Sequence, residues 1–264
     1  MKKMKKVLSL VLALAMMLAL AACGAGTDAS DLSYVKNKGT LIVGITDFKP
    51  MDYKDKNGKW VGFDADMATA FAKSLGVKVK FIEIEWGNKI MELKTKSVDC
   101  LWNGMTLTDE VKNSMATSNT YCDNAQVVVL PSNKADKYQN VDSLKKLKFA
   151  VESDSAGEKE AKAKNLNCTS VESQSAAVME VASGSSDACV IDLLMASAMT
   201  GKGTSYPKLT HTVKLNSEQY GVGFRTGSDL TAALNKFFVS SYKDGSMQKI
   251  AKTYGIHETL IAQK

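Results

Sequence analysis

The chain has 264 residues and a formal charge of +6, from 34 Lys and Arg against 28 Asp and Glu, with two histidines and five cysteines. Four of the lysines stand within the first six residues, so the remainder carries only +2 and gives no electrostatic case for a nucleic-acid partner. His211 and His257 come without a GxSxG, HExxH, P-loop or GxGxxG, so nucleophilic, zinc and nucleotide chemistry have no motif, and no cofactor or metal is expected.

Met1 to Lys6 is basic, and the apolar run Val7 to Ala22 falls short of the ~20 residues that span a bilayer. A basic start, a short apolar run and a small-residue exit predict a signal peptide over residues 1–22. Leu20-Ala21-Ala22-Cys23 resembles the lipobox of bacterial lipoproteins, which implies lipidation at Cys23, palmitate included. Residues 23–30 are small and polar and read as a flexible, lipid-anchored linker. The expectation is a soluble body held on the outer face of the cytoplasmic membrane. Cys100, Cys122, Cys168 and Cys189 form no CxxC pair, and Cys100 and Cys189 fall in apolar strand patterns, so they are expected as free thiols.

The body alternates strand and helix patterns. Thr40 to Ile45 is a strand, Lys49 to Lys59 a hairpin with its tight turn at Asn57-Gly58, and Asp64 to Leu75 a helix stopped by Gly76. Lys78 to Ile84 is the next strand, followed by a helix near Asn88 to Thr95. Val98 to Trp102 then reads as a short apolar strand that breaks into a polar turn at Asn103, Gly104 and Thr106 before a helix capped by Thr108 or Asp109. Strands alternating with helices predict an α/β protein with a mostly parallel sheet, and ligands of such sheets sit beyond the strands' carboxyl ends.

After Tyr121 the pattern restarts, with strands over Gln126–Leu130, Lys148–Glu152, Cys168–Val171 and Ala188–Ile191, the last ending on Asp192. Helices follow Asp142, the Ser153-Asp154-Ser155-Ala156-Gly157 turn and Ser173. A strand over Gly221–Arg225, an amphipathic helix over Asp229–Lys243 and a last helix over Met247–Tyr254 complete the chain. Two α/β units of this size imply a cleft between them.

Four stretches give the pattern a likeness. They are Val61-Gly62-Phe63-Asp64-Ala65-Asp66-Met67-Ala68, Val98-Asp99-Cys100 with Asn103-Gly104-Met105-Thr106-Leu107-Thr108, Ser186-Asp187-Ala188-Cys189-Val190-Ile191-Asp192, and Tyr220-Gly221-Val222-Gly223-Phe224-Arg225. Together they resemble, in order and spacing, the amino-acid type (family 3) solute-binding proteins of ABC importers, over about residues 40 to 260. The resemblance implies a two-lobed periplasmic-binding-protein-like fold (type II), with a hinge between two Rossmann-like lobes. Residues 31–125 plus 220–264 would form lobe one and residues 126–219 lobe two, closing on a ligand by hinge motion. It further implies a monomer that is not an enzyme, whose partners are a small amino acid or amine and an ABC transporter permease.

Carried over residue by residue, the resemblance implies a pocket with Phe48 and Trp86 as facing aromatics and Asn103, Gly104 and Thr106 as a ledge for the ligand's amino and carboxylate groups. Ser155 and Ala156 begin a helix whose free N–H groups can bind an anion, Asp192 holds the α-ammonium, Glu152 tunes side-chain preference, and Asp47 is a further carboxylate of the pocket. Arg225, in a hinge motif, is expected to be structural. One departure stands out: five residues after Thr106, where the family carries an arginine that grips the α-carboxylate, this chain has Val111. Lys112 is adjacent but points about 100° around the helix. The expectation is therefore an amine-bearing ligand, a polar or cationic amino acid or a related amine, whose carboxylate is dispensable or held by the Thr106 and Ala156 backbone N–H groups. The alternatives are a dehydratase-like enzyme using Glu152 or Asp192 as an acid, and a ligand-sensing lipoprotein.

Overall fold

The computed structural model describes residues 30–264. The expected signal peptide, the lipidation site Cys23 and nearly all of the linker lie outside the described residues. Ser30 already belongs to the fold, as its hydroxyl accepts from the Ser33 N–H and caps helix α1 (Asp31–Lys38).

Two sheets form the frame. The first contains β1 (Thr40–Ile45), β4 (Lys78–Glu83), β5 (Cys100–Thr106), β6 (Ala116–Thr117), β7 (Cys122–Asn124) and β13 (Glu218–Phe224). Its order is β4-β1-β5-β13-β6, with β7 also on β13. The second contains β8 (Gln126–Pro131), β9 (Lys148–Glu152), β10 (Asn167–Val171), β11 (Ala188–Asp192) and β12 (Leu209–Lys214), in the order β10-β9-β11-β8-β12. The strands β2 (Tyr53–Lys54) and β3 (Trp60–Val61) make a separate hairpin, whose loop bonds Gly58 N–H to Asp55 O rather than turning on Asn57-Gly58 alone.

The chain passes between the sheets twice, at Ala125 and between Lys214 and Glu218, and the two passages touch. Leu215 N–H donates to Gln126 O at 2.8 Å, and Glu218 stands opposite Asn124 in the ladder. Two adjacent crossing strands of opposite sense are a hinge. They also explain why neither sheet is mostly parallel as expected. β4, β1 and β5 are parallel, as are β10, β9 and β11, but β13 and β8 run antiparallel to their neighbours because each enters its sheet through the crossing.

Helices cover the sheets where the 3.6-residue apolar spacing placed them. On the first sheet these are α2 (Phe63–Ser74), α3 (Lys89–Lys94), α4 (Asp109–Ser114), α9 (Leu230–Lys243) and α10 (Ser246–Thr253). On the second they are α5 (Val141–Leu144), α6 (Ala156–Ala163), α7 (Gln174–Ser183) and α8 (Leu193–Met199). Phe71, Trp102, Tyr121 and Phe238 interlock beneath the first sheet with ring centroids 5.6 to 6.3 Å apart, so its core is dominated by aromatic contacts. Among the described residues no helix is long and apolar enough to cross a membrane.

The stretch expected to be a turn is strand. β5 continues through Asn103 and Gly104 to Thr106, and its ladder with β13 is irregular there. Trp102, Asn103 and Gly104 face a single residue, Val222, whose N–H and C=O are taken by Ser118 on the other side. A bulge of this kind leaves backbone unpaired and re-aims side chains, and Gly104 supplies it with φ +52°. An added carbon there would collide, since a Cβ on Gly104 would lie 2.5 Å from the Phe48 ring.

Candidate ligand-binding cleft

The bulge opens onto a cavity between the two sheets. From the first sheet Phe48, Trp86, Asn103, Gly104, Thr106 and Val111 line it. From the second come Glu152, Ser155, Ala156 and Asp192. The cavity is closed over by contacts between the lobes: Lys89 Nζ donates to Asp154 O at 3.0 Å, Ser175 Oγ donates to Asp47 O at 3.0 Å, and Lys159 pairs with Glu110.

Asp47 does not line this cavity. It sits in a neighbouring surface cleft with Glu83 and Ser175, at the rim where the lobes meet. Val111 does line it, in an apolar cluster with Met105 and Met115. Arg225 is structural: it grips Asp31 at 2.9 Å and donates to the carbonyls of Val98 and Leu93. Asp192 follows an apolar strand and begins α8 but makes no capping bond.

The Asp192 carboxylate is committed to the cavity wall instead. It accepts from Asn124 Nδ2, Gln174 Nε2 and Tyr220 O–H, each at 2.6 Å. Burial, and then Glu218 beside it, push its pKa up to about 7, against the pull of those donors. Glu152 is buried as well, and its Oε1 has no hydrogen-bond partner. Burial first, then the charge of Asp192, push Glu152 up to about 8. Two carboxylates in one closed cavity, one of them unpaired, are a site short of positive charge.

The ledge is built differently from the sequence expectation. The Asn103 side chain bonds Thr46 and Asp52, the Gly104 N–H donates to Asp64 at 2.6 Å, and the Thr106 hydroxyl donates to Glu218 at 2.8 Å. These groups therefore hold the ledge to the fold. The aromatics Phe48 and Trp86 both line the cavity, and the Phe48 ring stands edge-on to Tyr220 with centroids 6.3 Å apart.

Lys89, Asp154, Lys159 and Gln174 also line the cavity, and none was singled out from the sequence as a ligand group. A lysine at a helix start and a glutamine after a serine cap carry no distinguishing signal. Lys89 is nevertheless buried, and that burial, followed by repulsion from Lys159, lowers its pKa.

Two sheets, a double crossing and a closed inter-lobe cavity with paired carboxylates define a two-lobed binding protein. The sequence profile of the bacterial extracellular solute-binding proteins, family 3, matches residues 41–257, and the chain belongs to that family. Arginine-binding extracellular protein ArtP of Bacillus subtilis (strain 168) is 28% identical over 257 residues, covering 95% of this chain and 98% of ArtP. The crystal structure of a mutant of ArgBP from T. maritima superposes with a TM-score of 0.80 at 30% identity, covering 85% of this chain and 99% of that one. An ancestral amino acid-binding protein, AncCDT-1, a precursor of cyclohexadienyl dehydratase, superposes at 0.78 with 33% identity, again over 85% and 99%. The family is extracytoplasmic, and the named relatives are binding proteins.

Proposed function

We propose that this protein is a lipid-anchored carrier that captures a small amine-bearing ligand, a polar or cationic amino acid or a related amine, and delivers it to an ABC importer. Residues 1–22 would be the signal peptide, 23–30 the tether from lipidated Cys23, 31–125 plus 220–264 lobe one, and 126–219 lobe two. The observation that carries the ligand class is the pair of buried carboxylates, with Asp192 held by three donors and Glu152 Oε1 left unpaired. An ammonium placed between them would supply the missing donors, and the Phe48 and Trp86 rings would cover its carbon skeleton.

The amino-acid-binding relatives support the same class. Isothermal titration of the purified protein with L-arginine, L-histidine, agmatine and histamine tests it. Saturable binding with a thermal shift is expected, since ligand at about 100 times its dissociation constant adds ~2.7 kcal/mol. Absence of binding by every amine would remove the ligand class, and consumption of a bound ligand would favour the dehydratase-like alternative.

A further inference from the structure

We infer that Lys89 replaces the missing arginine as the group that holds the ligand's carboxylate, so that the cavity is built for α-amino acids in preference to simple amines. The inference rests on the proposed amine-bearing ligand and refines it. Val111 leaves the α4 wall of the cavity apolar. Lys89 enters from the start of α3, on the same lobe and next to Trp86. It is the one lysine or arginine that is buried among the described residues.

The geometry leaves Lys89 partly unsatisfied. An ammonium carries three N–H donors, and two of them go to Trp86 O at 3.2 Å and Asp154 O at 3.0 Å. Both acceptors are neutral carbonyls and the Nζ also lies 5.1 Å from the centre of the Trp86 ring, so the third N–H donor is left for a group in the cavity. Asp154 lies two residues before α6, whose first residue, Ala156, also lines the cavity. A carboxylate beside Lys89 would therefore meet a cation and the N-terminal end of an eight-residue helix together. Glu152 and Asp192 supply the opposite charge, and an α-amino acid has the two charges that match.

Burial, and then repulsion from Lys159, lower the Lys89 pKa against the attraction of Asp154, Glu110 and Glu152. A carboxylate bound beside Lys89 would favour its charged form directly. An amine without a carboxylate would leave the buried ammonium as it is and add a second positive charge nearby.

Titrating the wild-type protein and Lys89→Met with two matched pairs, L-arginine with agmatine and L-histidine with histamine, tests the assignment. In the wild type the acid of a binding pair is expected to bind at least tenfold more tightly than its amine. Lys89→Met should erase that preference, with about 10- to 100-fold more loss for the acid than for the amine, as a lost charge-assisted bond requires. Adding Val111→Arg to Lys89→Met should return the preference. Should Lys89→Met fail to fold, Lys89→Arg in its place is expected to retain the preference for the acid. Equal losses for acid and amine, an unchanged preference in Lys89→Met, or a Lys89→Arg protein that no longer prefers the acid would each overturn the inference while leaving the amine-bearing class intact. A wild-type protein that binds none of the four overturns that class, and the inference with it.

Discussion

Asp192→Asn separates the binding role of the carboxylate from its structural cost. The substitution removes a charge and leaves the shape. Oδ1 can still accept from Asn124 and Tyr220, but the new amide nitrogen replaces the oxygen that accepts from Gln174, whose own Oε1 is occupied by the Asp192 N–H. One donor is thus set against another, a cost of about 1–3 kcal/mol. Against this stands the expense of keeping an ionised carboxylate in the closed cavity. With a folded pKa of about 7 against an ordinary 3.8, ionisation at pH 8 costs on the order of 3–4 kcal/mol. The ligand-free variant is therefore expected to match or exceed the wild type in urea unfolding at pH 8, by up to about 3 kcal/mol. Binding should change in the opposite direction. Losing one partner of a buried charge pair costs about 2–5 kcal/mol, so the dissociation constant of an amine ligand should rise by about 30-fold to several thousand-fold. Isothermal titration reads this directly. A variant that binds within threefold of the wild type would refute the role of Asp192, and one that is both less stable and non-binding would make it a structural carboxylate.

Binding should depend on pH through the same pair. Asp192 and Glu152 hold their protons up to about 7 and about 8, so amine affinity should strengthen as pH rises from 6 to 8.5, with protons released on binding. A flat profile and no proton release across that range would contradict it. Beneath the ledge, Asp64 is raised by burial to about 7 and Asp52 is raised by burial and by Asp64. For a raised folded pKa, stability is complete below the unfolded value and is lost as pH rises through the folded one. Ligand-free stability should therefore fall between pH 5 and pH 8, and Asp64→Asn should flatten that fall; identical slopes in urea unfolding would argue against the pair. Gly104→Ala should cost about 1–3 kcal/mol, through strained backbone and collision with Phe48, and weaken binding by displacing that ring. Wild-type thermal stability and affinity in Gly104→Ala would mean the bulge is pliable.

Local chemistry made much of the chain legible. Apolar spacing in Phe63–Ser74 and Leu230–Lys243, the Thr108, Ser155 and Ser173 caps, and the run from Ala188 to Asp192 depend on residues within a turn or a strand of one another. The β12 strand was not legible, because its polar alternation resembles a loop until β8 pairs with it. The Asn103–Thr106 stretch looked like a turn because its Gly and polar residues are turn formers, and it is strand because β13 arrives from more than a hundred residues away. Resemblance located the carboxylate Asp192 and the vacancy at Val111, since those signals are residue identities at fixed spacing.

Which charges meet was decided by tertiary structure alone. Asp47 lies at the rim, and Asp192 turns from capping α8 to face Asn124, Gln174 and Tyr220. Lys89, one lysine among many in the sequence, is buried between Trp86 of its own lobe and the Asp154 carbonyl of the other. Burial is set by the whole assembly, and burial is what turns an ordinary charge into one that must be paired.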